Sequence, residues 1–269
     1  MKSEEKEAEQ LTEAQAIANL KQKEDLGARY YAAWWLGKFR INTSEAVSTL
    51  LMALEDERDR APDGGYPLRR NAARALGKLG NKAAVEPLTR CLKFPDYYVR
   101  EAAAQALEML GDRRCVFTLI ELLEGGVKSA TRVPGKPHLV QPYEAIIEAL
   151  GTLDAKEAIQ QIEPFTKHPT EKVKYAAARA MYQLTSEDKY GEILIQALSG
   201  NDLQLRRSAL MDLGAVGYVK ASKAIAETLA ENSMKLIALK GLLENNLETE
   251  SAEISTESVN IMNLMDSLL

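Results

Sequence analysis

Four aromatic residues, Tyr30, Tyr31, Trp34 and Trp35, lie within six positions of one another and include both tryptophans of the chain. Aromatic rings stack on the faces of flat conjugated molecules. An α-helix turns by about 100° per residue, so it cannot bury all four side chains on one side. We therefore expect at least two of these rings to contact a ligand or a partner protein.

Charged residues at helical spacing could complete a site for a flat ligand that carries carboxylates. Three arginines and one tyrosine are candidates for ligand binding: Arg70, Arg74, Tyr175 and Arg179. An arginine side chain can hold a carboxylate through two parallel hydrogen bonds. Glu144 and Glu148, one helical turn apart, could accept hydrogen bonds from ring N–H groups. The alternative is a solvated face whose charges form internal ion pairs, as such side chains usually do.

These candidates belong to a motif that recurs along the chain. The motif is a basic residue, an alanine three positions later and a leucine seven positions later, often followed by glycine. Its six copies, one of them degenerate, begin at Arg29, Arg69, Arg100, Tyr143, Lys174 and Arg206. Apolar residues of helical period lie between the copies, so each unit is predicted to contain two helices. This pattern is typical of HEAT-like repeats and predicts an all-α fold, a HEAT-like or armadillo-like superhelix of about six helix pairs.

The motif also predicts which side chains face the concave surface of such an α-solenoid. If the basic residue is position zero, positions three and seven are mostly apolar and form the core. Positions one, five and eight point the opposite way, and Tyr30 and Trp34 occupy the first two of these. Glycine at position eight in four units is expected to leave room for something large. Aspartate four residues before the basic residue in three units is expected to cap the helix and pair with that residue.

The domain organisation follows from these repeats. Residues 1–10 are expected to be a charged, flexible N-terminus, and residues 11–246 form the solenoid. Two segments rich in proline and glycine, 57–67 and 125–142, are predicted insertion loops. Residues 247–269 form an acidic tail that ends in a short amphipathic helix. This helix either packs on a partner or caps the last repeat of the chain itself.

Composition excludes several classes of function. Lys and Arg total 34 against 39 Asp and Glu, a net charge of −5, which argues against a general nucleic-acid binder. No apolar stretch approaches the length of a membrane span, and the N-terminus lacks the apolar core of an export signal. Cys91 and Cys115 fall on apolar positions of outer helices and are expected to be inert buried thiols. His138 and His168 lack the paired His-Glu motifs of a HEAT metalloenzyme, so no metal site is predicted.

Three segments resemble the E/F-type phycobilin lyases, in particular the members that act on the alpha chain of phycocyanin. They are YYAAWWL at 30–36, GYPLRRNAARALG at 65–77 and QPYEAI at 141–146. The resemblance extends from about Leu26 to Leu247. It implies a carbon-sulfur lyase that works only as a heterodimer with a homologous F-type subunit, in the cyanobacterial cytoplasm. The pair would attach phycocyanobilin to a cysteine of the phycocyanin alpha chain, with the bilin as a substrate and no cofactor.

The implied reaction adds a thiol across an exocyclic double bond of the bilin. It needs a base for the thiol and an acid for the bilin. Glu144 and Glu148 are the first catalytic candidates, with Tyr143 and His138 as further acids in or beside the long loop. The aromatic and arginine residues named above would stack on the bilin and pair with its propionates. Two alternatives stay open: the related phycoerythrocyanin lyase-isomerase subunit, and a non-catalytic HEAT adaptor that binds protein partners.

Overall fold

The structure is a computed structural model that describes residues 11–249 and 254–269. The predicted flexible segment 1–10 lies outside the described residues. Within the described ranges the chain forms 16 α-helices. They are α1 (Glu13–Lys21), α2 (Leu26–Lys38), α3 (Ser44–Leu54), α4 (Pro67–Leu79), α5 (Val85–Cys91), α6 (Tyr97–Leu110), α7 (Val116–Glu121), α8 (Gly126–Ser129), α9 (Tyr143–Thr152), α10 (Ile159–Ile162), α11 (Glu171–Thr185), α12 (Asp188–Ala197), α13 (Leu203–Val216), α14 (Ser222–Glu227), α15 (Asn232–Thr249) and α16 (Thr256–Asp266).

Short 3₁₀ segments extend several of the second helices of the repeats. They are Lys82–Ala84, Arg113–Cys115, Lys156–Ala158, Glu163–Lys167 and Val219–Ala221. The β-structure of the described ranges is limited to an isolated bridge between Arg132 and Leu139 in the second insertion. None of the described helices is long and apolar enough to cross a membrane. The predicted all-α, HEAT-like solenoid fold is therefore confirmed.

Each predicted motif lies on one helix, and these motif helices are α2, α4, α6, α9, α11 and α13. Their alanine and leucine positions are buried, as at Ala72 and Leu76. A seventh copy, which the sequence analysis missed, lies on α15 at Lys235, Ala238 and Leu242. Ala238 and Leu242 are buried as well. The repeat pattern therefore continues through the last long helix of the chain.

The chain divides into two compact units. The first consists of the described residues of Met1–Leu122 together with Val140–Pro142, and α4 packs between α2 and α6. The second consists of Leu123–Leu139 and the described residues of Tyr143–Leu269. In it α11 packs on α9 and α13, and α15 packs on α13. Within each unit, consecutive motif helices are thus direct neighbours.

Helix α16 forms the end of the second unit. It packs on α15 and α14, and its Ile261 is fully buried in the core of that unit. Leu264, Met265 and Leu268 pack against the same core. Of the two roles considered for the amphipathic C-terminal helix, the structure shows the contact with the last repeat of the chain itself.

The aspartates that precede the motif helices cap them, as predicted. Asp25 accepts a hydrogen bond from the Ala28 backbone N–H, and Asp96 and Asp202 cap α6 and α13 in the same way. The expected ion pair with the following arginine is wrong for Arg29, whose guanidinium pairs with Asp56 at 2.7 Å.

The basic residue of the motif instead caps the carbonyl end of the preceding helix. Five such side chains donate to carbonyl oxygens at or just beyond the end of that helix: Arg29 to Leu20 (3.3 Å), Arg69 to Asp56 (3.0 Å), Arg100 to Phe94 (2.8 Å), Arg206 to Gly200 (2.5 Å) and Lys235 to Ala226 (3.0 Å). The last carbonyls of a helix lack partners inside the helix and carry partial negative charge. A cation at position zero therefore ties five of the seven motif helices to the helix before them.

Glycine at position eight allows two motif helices to pack closely, so the expectation that it leaves room for a large ligand is wrong. Gly37, Gly77, Gly151 and Gly214 are buried. A Cβ atom on Gly77 would lie 2.7 Å from the Cα atom of Ala106 on α6. The other three would meet backbone atoms of the next motif helix at 2.7 to 2.8 Å. The large group that approaches each glycine is therefore the backbone of the following repeat.

Candidate functional site

The second unit contains a groove of about 670 Å³ on the side of its motif helices. Side chains from α9, α11, α13 and α15 line it. The principal lining residues are Glu144, Glu148, Lys172, Tyr175, Gln204, Arg207, Met211, Asp212 and Met234. Positions one and five of the motif supply Glu144, Tyr175, Arg207, Glu148 and Met211. The predicted face of these helices is therefore the face that lines the groove.

Glu144 and Lys172 give the groove an acid and a cation on neighbouring helices. Loss of solvent around the Glu144 carboxyl raises its pKa above the ordinary value, and the charge of Lys172 opposes this shift. The side chain of Glu144 nevertheless reaches solvent at the groove. Lys172 forms no ion pair within 4.0 Å with any described residue. The groove thus offers a carboxyl that protonates readily and a cation able to bind an anion.

Asp212 and Arg207, two other charged residues that line the groove, are held by ion pairs, and the candidate Arg179 is the partner of Asp212 rather than a lining residue. Arg179 pairs with Asp212 at 3.4 Å, and both side chains are largely buried. Arg207 pairs with Glu231, and these two side chains are more exposed than Arg179 and Asp212. Tyr175 lies beside them in a buried position, and burial together with the nearby Glu171 raises the pKa of its hydroxyl. These contacts fix the positions of the lining side chains.

The predicted aromatic cluster lies on α2 in the first unit. Tyr30, Tyr31 and Trp34 are 41%, 50% and 38% exposed, so α2 does not bury all four rings. The rings of Tyr31 and Trp34 lie 5.3 Å apart, and the Lys38 ammonium lies 4.7 Å from the centre of the Trp34 ring. Trp35 is half-buried and packs on Phe39. The solvent-facing half of α2 therefore carries three aromatic rings together with the charge of Lys38.

The two candidate arginines of the first unit lie on α4, the neighbour of α2. The Arg70 guanidinium lies 5.1 Å from the centre of the Tyr98 ring. Its Nε atom is buried and has no hydrogen-bond partner among the described residues. Arg74 is half-buried. A buried N–H group without a partner is uncommon in a folded protein and suits an incoming acceptor.

Tyr143 and His138, the two further candidate acids, lie outside the groove lining. Tyr143 is 2% exposed, and its ring lies 5.4 Å from that of Phe165 in the core of the second unit. Burial raises the pKa of its hydroxyl. His138 lies in the second insertion, where its Nδ1 atom is 2.8 Å from the carbonyl oxygen of Leu139. The structure therefore brings Glu144, Glu148 and Tyr175 together, but not His138 or Tyr143.

Cys91 and Cys115 lie in the buried positions that were expected for them, and His168 is buried as well. Cys91 and Cys115 are buried, and burial raises the pKa of each thiol to about 11. His168 is buried, accepts a hydrogen bond from the Thr170 N–H and faces the carbonyl of Ala130. No group of three or more His, Cys, Asp or Glu side chains that could hold a metal ion occurs among the described residues.

Lys172 is the lining residue of most interest that sequence analysis missed. It stands two positions before the basic residue of its motif, outside the row of positions one, five and eight. A residue seven positions before position five lies on the same helix face. Gln204 occupies the equivalent place on α13 and lines the groove too. An extension of the row by one heptad towards the N-terminus would have found both.

The fold and the groove define a HEAT-repeat protein with a groove lined largely by polar side chains. Family models agree: one described as HEAT repeats matches residues 59–132, and one described as PBS lyase HEAT-like repeat matches residues 28–56 and 173–200. A protein named "Phycocyanobilin lyase subunit alpha" from Picosynechococcus sp. is 62% identical over 97% of this chain and 98% of its own length. The chain therefore belongs to the family of phycocyanobilin lyase alpha subunits.

Two further similarities bear on the role within that family. A chain in the structure of the complex of CpcE and CpcF of phycocyanin lyase from Nostoc sp. covers the whole chain, with 61% identity and a TM-score of 0.89. The protein named "Bilin biosynthesis protein PecE" from Mastigocladus laminosus is 46% identical over 86% of this chain and 81% of its own length. Similarity is thus greater to the phycocyanobilin lyase subunits than to this PecE protein.

Proposed function

We propose that the chain is one subunit of a heterodimeric bilin lyase that attaches phycocyanobilin to a cysteine of the phycocyanin alpha chain. The observation that carries this proposal is the 62% identity, over nearly the full length of both chains, to a phycocyanobilin lyase alpha subunit. The fit to a chain of the complex of CpcE and CpcF supports a homologous F-type subunit as the partner. The cytoplasm of a cyanobacterium is the place proposed for this reaction.

The groove of the second unit has the chemistry that the substrate requires. Phycocyanobilin is a long conjugated molecule with pyrrole N–H groups and propionate carboxylates. Lys172 can bind a carboxylate, Glu144 and Glu148 can accept hydrogen bonds from pyrrole N–H groups, and methionine side chains adapt to a large apolar surface. A volume of about 670 Å³ lies in the range of pockets that bind organic ligands.

The C–S bond forms by addition of the acceptor thiol to a double bond of the bilin, and this addition requires two proton transfers. The thiol of the acceptor cysteine loses its proton to a base, and its sulfur forms the C–S bond at the exocyclic carbon of the bilin. The electron pair of the double bond shifts into the ring, and the adjacent ring carbon takes up a proton. Glu144 is the proposed proton donor because its raised pKa keeps more of it protonated near neutral pH.

The protein also has to control the conformation of the bilin. A thiol with an ordinary pKa near 8.5 supplies some thiolate at neutral pH, so addition itself does not need a strong base. A fixed orientation of the bilin towards one cysteine then contributes most to rate and selectivity. Tyr30, Trp34, Arg70 and Arg74 of the first unit are also proposed as bilin contacts, through stacking and through pairing with propionates.

Co-expression tests the function directly. The chain is produced with an F-type subunit, the phycocyanin alpha chain and a source of phycocyanobilin, and covalent chromophore is scored by bilin fluorescence on a denaturing gel. We expect attachment only when both subunits are present. Attachment by either subunit alone would contradict the heterodimer, and absence of bilin binding by the pair would favour the adaptor alternative. Attachment to the phycoerythrocyanin alpha chain instead would identify the related lyase-isomerase.

The groove is tested with a charge removal and a matched control. Lys172→Gln removes the cation of the groove, whereas Lys156→Gln removes an exposed lysine that lies outside the groove lining. A charge-assisted hydrogen bond contributes about 1.5–3 kcal/mol, so Lys172→Gln should weaken bilin binding by roughly ten- to a hundredfold. Equal bilin affinity of both variants and the unchanged pair would place the bilin elsewhere.

A further inference from the structure

The second unit has another pocket that shares no lining residue with the groove. Its volume is about 860 Å³, and α8, α12 and the 3₁₀ segment Glu163–Lys167 supply its lining. None of these elements is a motif helix, so the pocket lies among the second helices of the repeats. Val127, Pro164 and Ile193 give it an apolar surface. An apolar pocket of this size is large enough for an organic ligand.

Lysines dominate the charge of this pocket. Lys128, Lys167 and Lys189 line it, against the single carboxylate of Glu163. That carboxylate is already satisfied, since it accepts a hydrogen bond from the Tyr190 hydroxyl at 2.9 Å and lies 3.6 Å from Lys189. These two contacts lower the pKa of Glu163, so it stays ionised and paired. Lys189 in turn also pairs with a neighbouring glutamate at 2.9 Å.

Lys128 and Lys167 differ from Lys189 in their ion pairing, although the charge of Lys167 acts on Glu163 at longer range. Neither forms an ion pair within 4.0 Å with any described residue. The pocket therefore combines an apolar surface with two cations that are available to a ligand. A molecule with an apolar body and two carboxylates complements this arrangement, since each carboxylate would find one lysine.

The second insertion builds one wall of the pocket. It lengthens the repeat spacing and supplies α8, on which Val127 and Lys128 lie. The insertion is anchored at its Ala130 carbonyl, which lies 3.3 Å from Nε2 of the buried His168. Because Nδ1 of His168 accepts from the Thr170 N–H, Nε2 carries the proton and donates to that carbonyl. The wall is thus tied to the core rather than formed by a loose loop.

The insertion also brings positive charge into an acidic chain. Residues 125–142 contain Lys128, Arg132 and Lys136 and no aspartate or glutamate, although the whole chain carries a net charge of −5. A field of this sign attracts carboxylates towards the pocket before they bind.

We infer that this pocket is an accessory binding site for the bilin, in which Lys128 and Lys167 hold the two propionates and the apolar surface holds the conjugated body. This inference rests on the proposed function, because phycocyanobilin is the apolar dicarboxylate of the proposed reaction. The pocket lies apart from the groove, so a bilin in it is held in reserve and is not positioned for addition. The heterodimer then binds one more bilin than the groove alone accounts for.

The test counts bound bilins. The complex with the F-type subunit is titrated with phycocyanobilin in the absence of the acceptor chain, and free and bound bilin are separated by rapid gel filtration. The variant Lys128→Gln/Lys167→Gln removes both cations, and Val127→Glu places a carboxylate in the wall of the pocket. The control Lys223→Gln/Lys240→Gln removes two exposed lysines outside both pockets.

We expect both pocket variants to bind one bilin fewer per complex, or to bind that bilin at least about tenfold more weakly. The control should match the unchanged complex. Attachment at saturating bilin should stay the same in all of them, because the groove is intact. An unchanged number and affinity of bound bilins in both pocket variants would overturn the accessory site while attachment continues. If the unchanged complex attaches no bilin to any acceptor, the proposed function fails instead.

Discussion

The contact between α4 and α6 at Gly77 permits a sharp test of how the repeats pack. A Cβ atom at position 77 would lie 2.7 Å from the Cα and 2.9 Å from the Cβ atom of Ala106. Carbon atoms in favourable contact lie about 3.5–4.0 Å apart, so Gly77→Ala must push the two helices apart by nearly 1 Å. Overpacking of this kind costs about 1–3 kcal/mol. A backbone Cα atom cannot rotate out of the way, unlike a side chain.

The matched control is Gly27→Ala on α2. A Cβ atom there meets only the Asp25 carboxylate oxygen at 3.3 Å, at the end of a side chain. Both variants gain helix propensity, up to about 1 kcal/mol, so the comparison largely isolates the contact. Urea unfolding followed by circular dichroism should show Gly77→Ala less stable than Gly27→Ala by about 1–3 kcal/mol. Equal stability would refute the close approach of α4 and α6. Because Arg70 and Arg74 lie on α4, bilin affinity should fall in Gly77→Ala but not in the control.

The remaining predictions concern the candidate site and the thiols. Trp34→Ala and Arg74→Ala should each weaken bilin binding by roughly tenfold with little change in Tm, measured by titration and thermal melts of the complex; a collapsed melt would instead mean that the residue supports the core. Replacement of Cys91 and Cys115 together by Ala should leave bilin attachment intact, because both thiols are buried with pKa values near 11; lost attachment with normal helicity would contradict this. The folded state raises the pKa of Glu144, so its ionisation opposes folding, and stability is lost as pH rises through that pKa. The Tm of Glu144→Gln minus the Tm of the unchanged chain should therefore increase as pH rises from 4 to 8. A difference that does not depend on pH would show that Glu144 has the same pKa in the folded and the unfolded chain.

The sequence by itself determined the repeat pattern, the all-α fold and the helix face that lines the groove. These properties depend on the order of apolar and polar residues along one helix, which a periodicity of 3.6 residues fixes locally. Glu144, Glu148 and Tyr175 were predicted on one face and line one groove. The family also followed from sequence, because the aromatic segment at 30–36 is distinctive.

Errors arose where a residue type suits two environments. Glycine at position eight can admit a ligand or a neighbouring helix, and at Gly77 the distance to Ala106 decides for the helix. Arg29 can pair with the aspartate that caps its own helix or with Asp56 from a later loop, and the structure selects Asp56. Such choices depend on which atoms arrive from other repeats.

Only the tertiary structure could show which charges remain available to a ligand. Lys172, Lys128 and Lys167 resemble the other lysines in the sequence, yet they line pockets and form no ion pair with described residues, whereas Lys189 is paired. Ion pairs between successive repeats join side chains about 30 residues apart in the sequence that come within 4 Å of each other, as Lys220 and Asp188 do. Sequence periodicity gives the direction of a side chain from its own helix. Distances between helices depend on how the cores of successive repeats pack.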